Sequence, residues 1–384
     1  MSNQNISMVN LNSFNLENSH ILPPPLFIHS SFRTSSTWLW SKIRKLPNIL
    51  AYYEIFHESL VNADAKSLNS NNHSSWSSGH PAQAPYFLEF LPLLKKGGGI
   101  ELFDSSMTFE RFIPNDGING ELSLQEISYI KLLIEQGYKN RKIPVLSETR
   151  SLGRMPSIKR AMSVNNVLVY RNIFDQWASY SGQSLKGNDY FVSTILETVD
   201  KSRDKDQFIN CLREFFLNAQ PSTKNEDLFL LFTIMHIYLY AKCVDHADLV
   251  IDTTAIANDS ELRKIVESKL SKMVFASVDL SDVENKFDAS IISINDKMGF
   301  IDTVNQFTKI IISNCDSQIS ADFAIKIRDD FISAWSYHDR VTRNSFYWYN
   351  KEAIDLKIHA EQKSLEYAHV VSERDQLNVE LAQT

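Results

Sequence analysis

The amino-acid sequence predicts an α/β fold with three layers, in which helices cover both faces of a central parallel sheet. Two observations indicate this fold. Short apolar runs that are typical of strands alternate with helical or polar stretches in the first half of the chain, which is the pattern of a parallel sheet covered on both faces. With 384 residues and 43% hydrophobic content, the chain is also large enough to bury a sizeable core.

The predicted elements follow one another in a simple order. The first four strands are expected at 26–30, 48–53, 144–148 and 166–170. A later segment, 244–270, has the pattern of an apolar strand with acidic flanks followed by a helix. Residues 186–243 and 320–345 are predicted to be mainly helical. The apolar stretch 228–241 is too short to span a bilayer, so we expect a buried helix in which His236 is a core histidine with a satisfied ring.

The domain organisation follows from changes in composition along the chain. Residues 1–24 are rich in Asn and Ser, without the pattern of a signal peptide, and are predicted to be a flexible tail. A single domain is predicted at 25–349, with a long insertion at 61–142 that we expect to act as a lid or substrate-binding element. Residues 350–384 are charged and free of proline, which predicts a C-terminal helix. Residues near helical spacing in it suggest the start of a coiled coil: Tyr367, Val370, Leu377 and Leu381.

Charge and cysteine content exclude several classes of protein. The formal net charge of −7 argues against a surface that attracts nucleic acid or anionic membrane as a whole, so any anion site must be local. No stretch is long enough for a transmembrane segment. Cys211, Cys243 and Cys315 are widely spaced without a metal-ligand pattern, and we expect each to be a small buried residue in a reducing compartment, the cytoplasm.

A cluster of small hydroxyl residues directly follows the first strand, in the sequence LFIHSSFRTSSTW at 26–38. Thr34, Ser35, Ser36 and Thr37 lie beside Arg33, where a helix is predicted to begin. Free backbone N–H groups, the helix dipole and the hydroxyl groups would then converge on one point, forming an anion cradle at residues 33–37. The simpler alternative is an ordinary helix cap, for which one hydroxyl residue is enough. The common nucleotide loop GxxxxGK[ST] is absent, which disfavours ATP or GTP.

The order of residues 32–38 resembles the 5′-phosphosulfate loop of the sulfotransferases that use 3′-phosphoadenosine 5′-phosphosulfate (PAPS). That loop typically reads Pro, Lys or Arg, Ser, Gly, Thr, Thr and an apolar or aromatic residue. In the present chain Arg33 stands at the basic position, Ser36 and Thr37 at the two threonines, and Trp38 behind them. The resemblance implies that residues 33–38 bind the 5′ end of the cofactor.

Two residues depart from the family pattern. Phe32 replaces the proline, and Ser35 replaces the glycine. The second departure matters more, because glycine at such a turn supplies a backbone conformation that a side chain resists.

A second stretch, VNNVLVYRNIFDQWASYSG at 164–182, carries the resemblance further. Arg171 ends a predicted strand, and Ser179 follows eight residues later on the next helix. In the same family an Arg and a Ser at this spacing bind the 3′-phosphate of the nucleotide, where guanidinium and hydroxyl donors suit phosphate oxygens. The alternatives are a salt bridge from Arg171 to Asp175 and a surface position for Ser179. The resemblance implies a P-loop-like sulfotransferase domain with PAPS as cofactor, 3′-phosphoadenosine 5′-phosphate (PAP) as product, and no metal.

Sulfuryl transfer to a hydroxyl also needs a base, and the residues after the second strand offer three. Parallel strands deliver their carboxyl ends to one edge of the sheet, so Glu54 and Arg33 should face the same crevice. Branches of the family use a Glu just beyond this strand as general base, and apolar neighbours would raise its pKa toward neutrality. His57 and Glu58 are the alternatives, since other branches use a His. Glu54 could instead simply pair with an Arg or Lys.

The acceptor site is less defined by the sequence. Arg150 and Arg154 follow the third strand and could reach the sulfonate or an anionic acceptor, or else lie solvated at a helix start. Trp76 and His80, in the insertion, are candidates to line the acceptor pocket, because Trp faces stack on sugars and flat ligands.

The sequence therefore predicts transfer of a sulfuryl group from PAPS to a hydroxyl of a carbohydrate or similar small acceptor. The alternatives are a non-catalytic, sulfotransferase-like nucleotide-binding or scaffold protein and a divergent P-loop kinase. The C-terminal helix could mediate self-association or bind another protein, and no nucleic-acid partner is expected.

Overall fold

A five-stranded parallel sheet forms the centre of the computed structural model, which describes residues 23–70, 85–285, 292 and 294–383. The strands lie in the order β2-β3-β1-β4-β5, and every neighbouring pair is parallel. They are β1 (Leu26–Ser30), β2 (Ile49–Tyr53), β3 (Ile143–Glu148), β4 (Asn165–Tyr170) and β5 (Leu249–Asp252). All four strands predicted in the first half of the chain, and the later fifth strand, are confirmed. Residues 1–22 of the predicted tail lie outside the described residues.

Helices cover both faces of this sheet, which confirms the predicted three-layer α/β class. In chain order they are α1 (Ser36–Arg44), α2 (Ala65–Leu68), α3 (Leu124–Lys139), α4 (Met155–Ala161), α5 (Ile173–Leu185), α6 (Tyr190–Ser202), α7 (Gln207–Phe215), α8 (Glu226–Val244), α9 (Thr253–Asn258), α10 (Ser260–Val274), α11 (Lys297–Ser313) and α12 (Gln318–Gln383).

The alternation of side chains along the central strand divides the core into two layers. Leu26 and Ile28 of β1 pack on one face with residues of α1, α9 and α10, whereas Phe27 packs on the other face with residues of α3 and α4. All three side chains are fully buried. Burial of one such side chain stabilises a fold by about 2 kcal/mol, so the strand is held firmly from both sides.

The segment from residue 85 to residue 142 is part of the sheet layers, which corrects the prediction of a lid. Its helix α3 covers β2 and β3, and Tyr129, Ile130 and Leu133 are fully buried there. The physical reason is that parallel neighbours β2 and β3 require a crossover connection, which is normally a helix packed on the sheet. Sequence analysis instead placed this crossover helix, α3, within the predicted insertion at 61–142. Residues 71–84 lie outside the described residues.

Helix α8, at 19 residues, is the one helix in the described ranges that is long and apolar enough to cross a membrane, which corrects the expectation that no stretch has the required length. In its most apolar stretch, 83% of the residues are buried inside the protein. The prediction of a buried helix at 228–241 is confirmed, since all of these residues are buried.

The C-terminal helix begins earlier than predicted. Helix α12 starts at Gln318. The chain divides into two compact units, residues 1–328 and residues 329–384, so the boundary lies between 328 and 329 and not between 349 and 350 as predicted. No Pro or Gly interrupts residues 318–349, so the change to charged composition near 350 occurs within a continuous helix.

The three cysteines differ in exposure, which corrects the prediction that each is buried. Cys243 is buried in α8, Cys315 is partly exposed, and Cys211 is exposed on α7. All three are free thiols. Cys211 lies on the solvent side of an amphipathic helix, a position that its spacing in the sequence does not indicate.

Candidate functional site

The loop between β1 and α1 presents an uncapped helix N-terminus. Arg33 and Ser35 have left-handed backbones, with φ of 63° and 65°, and the Ser35 side chain makes no capping hydrogen bond although it occupies the N-cap position. The first amide that bonds back is Leu39, which donates to Ser35 O at 3.2 Å. Among the described residues, no backbone hydrogen bond engages the preceding amides of α1. This geometry favours the anion cradle over an ordinary cap.

Two buried helices hold this strained loop in place. Gln176 of α5 donates to the carbonyl oxygen of Phe32 at 2.7 Å, and Ser31 Oγ lies 2.8 Å from His236 Nε2 on α8. The other ring nitrogen of His236 donates to Phe232 O at 2.8 Å, so Nε2 accepts the Ser31 proton. Burial lowers the pKa of His236 to about 4, and the ring is neutral at pH 7. The prediction of a satisfied core histidine is confirmed, and the ring also positions the loop.

The structure brings together three of the residues that sequence analysis assigned to the nucleotide, namely Arg33, Arg171 and Ser179. Arg33 Nε donates to Ser179 Oγ at 2.9 Å, and an Arg171 terminal nitrogen donates to the carbonyl oxygen of Arg33 at 3.4 Å. They meet because β1 and β4 are parallel neighbours, with Ser30 beside Val169. Residues from two distant parts of the chain therefore meet at one site.

Ser36 and Thr37 connect the cradle to the second strand. The Thr37 hydroxyl lies 2.6 Å from the phenol oxygen of Tyr53, and the Ser36 hydroxyl lies 3.5 Å from it. Thr34 is turned inward, since its hydroxyl donates to Ser31 O at 2.9 Å. Trp38 donates from its indole nitrogen to Asp282 at 3.2 Å. Thr34 and Trp38 therefore shape the loop, while Ser36 and Thr37 are buried beside Tyr53.

Glu54 lies at the end of β2 in a strained backbone conformation, with φ of 47°. Its Oε1 atom accepts from the Thr149 hydroxyl at 3.2 Å and lies 3.8 Å from a terminal nitrogen of Arg150. Burial raises the pKa of Glu54 to about 7, with Arg150 opposing this effect and Glu148 and Glu58 adding to it. A carboxyl group with this pKa can exchange a proton near neutral pH.

His57 and Glu58, the alternative bases, are both occupied. His57 Nδ1 accepts from the Ser59 N–H at 3.1 Å, which leaves its proton on Nε2, 3.5 Å from Glu54 Oε2. Burial, assisted by Arg150, lowers the pKa of His57 to about 3. Although burial alone would raise the pKa of Glu58, Arg150 and His57 lower it below its usual value. Of the three, Glu54 is placed best to accept a proton.

Arg150 and Arg154, the two arginines predicted near the acceptor, are buried, so the alternative that they are solvated is wrong. Arg150 donates to Glu58 at 3.0 Å and to the Tyr190 hydroxyl at 2.7 Å, and its guanidinium lies 4.9 Å from the ring centre of Phe32. Arg154 donates to Glu126 at 3.2 Å and to the carbonyl oxygen of Met107 at 2.6 Å. Arg150 thus borders the site beside Glu54, whereas Arg154 anchors a neighbouring turn.

Sequence analysis missed three residues that organise this site. The buried carboxylate of Glu148 accepts from the N–H groups of Thr149 and Arg150, each at 2.8 Å, and so fixes the turn after β3. Tyr53 joins the cradle to β2, and the Tyr190 hydroxyl donates to Glu58 at 2.8 Å. Their place in the sequence could have indicated two of them, because Tyr53 and Glu148 are the last residues of predicted strands.

Two predicted acceptor residues, Trp76 and His80, lie outside the described residues. Across the described ranges, no group of three His, Cys, Asp or Glu side chains is arranged to hold a metal ion. Comparison with known proteins found no matching family model, no matching curated protein and no matching solved structure. The functional argument therefore depends on the geometry of the site.

Proposed function

We propose that the protein is a sulfotransferase that uses PAPS and transfers its sulfuryl group to a hydroxyl of a carbohydrate or similar small acceptor. One observation carries the proposal. Arg33, Arg171 and Ser179 come from separate parts of the chain, yet they lie together beside the uncapped N-terminus of α1. Arg33 contacts Ser179 at 2.9 Å and Arg171 at 3.4 Å. These are the residue types and positions expected for a nucleotide with phosphate groups at both its 3′ and 5′ ends.

The residues present fit PAPS at both ends. The free amides at the start of α1, together with Arg33, Ser36 and Thr37, suit the 5′-phosphosulfate. Arg171 and Ser179, both buried, suit the 3′-phosphate. When bound, PAPS would supply a sulfuryl group whose bond to the phosphate oxygen breaks as the bond to the acceptor oxygen forms, leaving PAP.

Each group in the site then has a distinct task. Arg33 and the amides of α1 would offset the negative charge that builds on the departing phosphate oxygen, and one such donor is typically worth about 3 kcal/mol in the transition state. Glu54 would take the proton of the acceptor hydroxyl, which its pKa of about 7 permits. Arg150, close to Glu54, holds that carboxylate toward the site.

The decisive experiment combines nucleotide binding with turnover. Calorimetric titration should show PAP binding far more tightly than ATP, and labelled PAPS should transfer its label to at least one member of a panel of sugars and phenols. Ser179→Ala should weaken PAP binding by about tenfold, which is the cost of one charge-assisted hydrogen bond. Ser181→Ala is the matched control, because Ser181 is buried on the same helix and makes no hydrogen bond to Arg33.

The other outcomes distinguish the alternatives. PAP binding without transfer to any acceptor would support a non-catalytic nucleotide-binding protein. Equal affinity for ATP and PAP would contradict the assignment of Arg171 and Ser179 to a 3′-phosphate and would favour a divergent kinase.

A further inference from the structure

A long stretch of α12 presents its apolar side chains to solvent. Every residue from 343 to 370 is exposed, including large side chains such as Leu356, which is 64% exposed, and Tyr367, which is 72% exposed. A helix in water gains most of its stability from packing an apolar face. Such a stretch therefore requires something to pack against.

The exposed apolar residues fall on a heptad pattern. Positions that alternate by three and four residues form a single seam along the helix, and seven of its eight members between 346 and 370 are apolar. The seam consists of Phe346, Tyr349, Ala353, Leu356, Ala360, Lys363, Tyr367 and Val370. A spacing of 3.5 residues is the signature of helices that wind around one another. In the sequence, the same spacing continues through Arg374 to Leu377 and Leu381.

We propose that this seam pairs with the same seam of a second copy of the chain, in a parallel two-stranded coiled coil. The flanking charges support this partner and this orientation. The g positions are Ser345, Glu352, His359 and Glu366, whereas Asn350, Lys357 and Ser364 lie at e positions. In a parallel pair g residues face e residues of the partner, which places Glu352 opposite the partner's Lys357, whereas an antiparallel pair would set acidic g rows against each other.

The one charged member of the seam between residues 346 and 370 is neutralised within its own helix. Lys363 Nζ lies 3.3 Å from Glu366 Oε2, one turn along α12. Its long aliphatic stem can pack in the seam while the ammonium group stays at the edge beside this carboxylate. A single polar seam residue of this kind favours one register of the two helices, because a shifted register would bury the charge against apolar side chains.

A competing stripe exists on another side of α12, and it provides a matched control. Tyr347, Ile354, Ile358 and Leu365 also follow helical spacing, but Lys351 and Glu361 interrupt that stripe. Leu365 is 72% exposed, similar to Leu356 in the seam. Replacing either leucine by glutamate adds the same charge to an exposed helical site, so the two variants differ only in the stripe that they alter.

The first test is the mass of the full chain in solution, measured by light scattering and sedimentation at micromolar concentration. The wild type should have about twice the 44.1 kDa mass of the chain. Leu356→Glu should weaken the dimer by at least about 100-fold, since it places two charges in an apolar seam, while Leu365→Glu should remain dimeric. Circular dichroism checks that both variants keep their helices. A monomeric wild type, a trimer, or equal dissociation by both variants would overturn the proposal.

The second test determines orientation. In a background with Cys211→Ser and Cys315→Ser, which removes the exposed and the partly exposed thiol, Tyr349→Cys should form a disulfide between copies upon mild oxidation, because a parallel pair places residue 349 beside itself. Lys357→Glu should weaken the dimer, and Glu352→Lys combined with Lys357→Glu should restore it. Absence of the disulfide, or no rescue by the charge swap, would contradict the parallel register.

Discussion

The Nε2 atom of His57 lies 3.5 Å from Oε2 of Glu54, with the ring proton between them. This arrangement assigns different tasks to two neighbouring residues that the sequence offered as rival bases. The histidine, whose pKa lies near 3, stays neutral and orients the carboxylate. The carboxylate, whose pKa lies near 7, is the group that can exchange a proton.

Substitution of Glu54 should separate catalysis from nucleotide binding. Glu54→Gln keeps the size of the side chain but cannot take a proton, so turnover should fall by about 10² to 10⁴. PAP affinity should change little, because a carboxylate makes no favourable contact with an anionic nucleotide. Transfer assays with labelled PAPS and calorimetry measure the two quantities. Glu135→Gln, an exposed glutamate on α3, is the control, and near wild-type turnover of Glu54→Gln would show that Glu54 is not the base.

The pH dependence of activity and stability should report the same carboxyl group. Turnover should rise with pH and level off above about 7, because Glu54 acts in its ionised form. Its folded pKa is raised from the ordinary value of 4.5, so the stability that it contributes is fully present below pH 4.5 and is lost as the pH rises to about 7. Thermal unfolding should therefore show wild type losing stability relative to Glu54→Gln across this window. A constant difference would refute the raised pKa.

Arg171 should decide nucleotide selectivity. Arg171→Ala removes a cation from the proposed 3′-phosphate site and should cost at least tenfold in PAP affinity, while the weak binding of ATP should stay as it is. The thermal shift given by PAP should shrink accordingly. Arg203→Ala, at a side chain that is 49% exposed on the surface, serves as the control. An unchanged PAP affinity would count against the site.

Replacement of Ser35 by glycine is expected to stabilise the fold. A residue other than glycine pays about 1 to 2 kcal/mol for a left-handed backbone, whereas glycine costs about 0.5 to 1 kcal/mol through the flexibility of the unfolded chain. Ser35→Gly should thus raise the free energy of unfolding by roughly 0.5 kcal/mol and preserve PAP binding. Chemical denaturation measures the change. Ser41→Gly, inside α1, should instead destabilise the fold, and a loss of stability in Ser35→Gly would contradict the strain.

A chain truncated after Tyr349 should stay folded and bind PAP normally. Residues 350–370 are exposed throughout, and the unit formed by residues 1–328 contains the sheet and its own core. The shortened chain should also be a monomer, since it lacks most of the seam. Circular dichroism, calorimetry and sedimentation check these three properties, and unfolding of the truncated chain would show that the removed helix stabilises the domain.

The strands and the meeting of the residues proposed to bind a nucleotide could be predicted from the sequence, because both depend on local patterns. Each strand is an apolar run, and Arg33, Arg171 and Ser179 occur at characteristic distances from the ends of β1 and β4. The hydrogen bonds around Glu148 and Tyr190 were not accessible, because they depend on how separate loops meet at the edge of the sheet. The role of α3 was misassigned for a similar reason, since a crossover helix and a lid helix have the same amphipathic pattern.

The contact between Arg33 and Ser179 joins residues 146 positions apart, and it has a consequence for how the protein folds. Two intervening strands and their connections must be looped out before β1 can pair with β4, and closure of so long a loop is slow. We therefore expect the contact between Arg33 and Ser179 to form late during folding. A nucleotide that binds the proposed site would be captured only by molecules whose central strands have already joined.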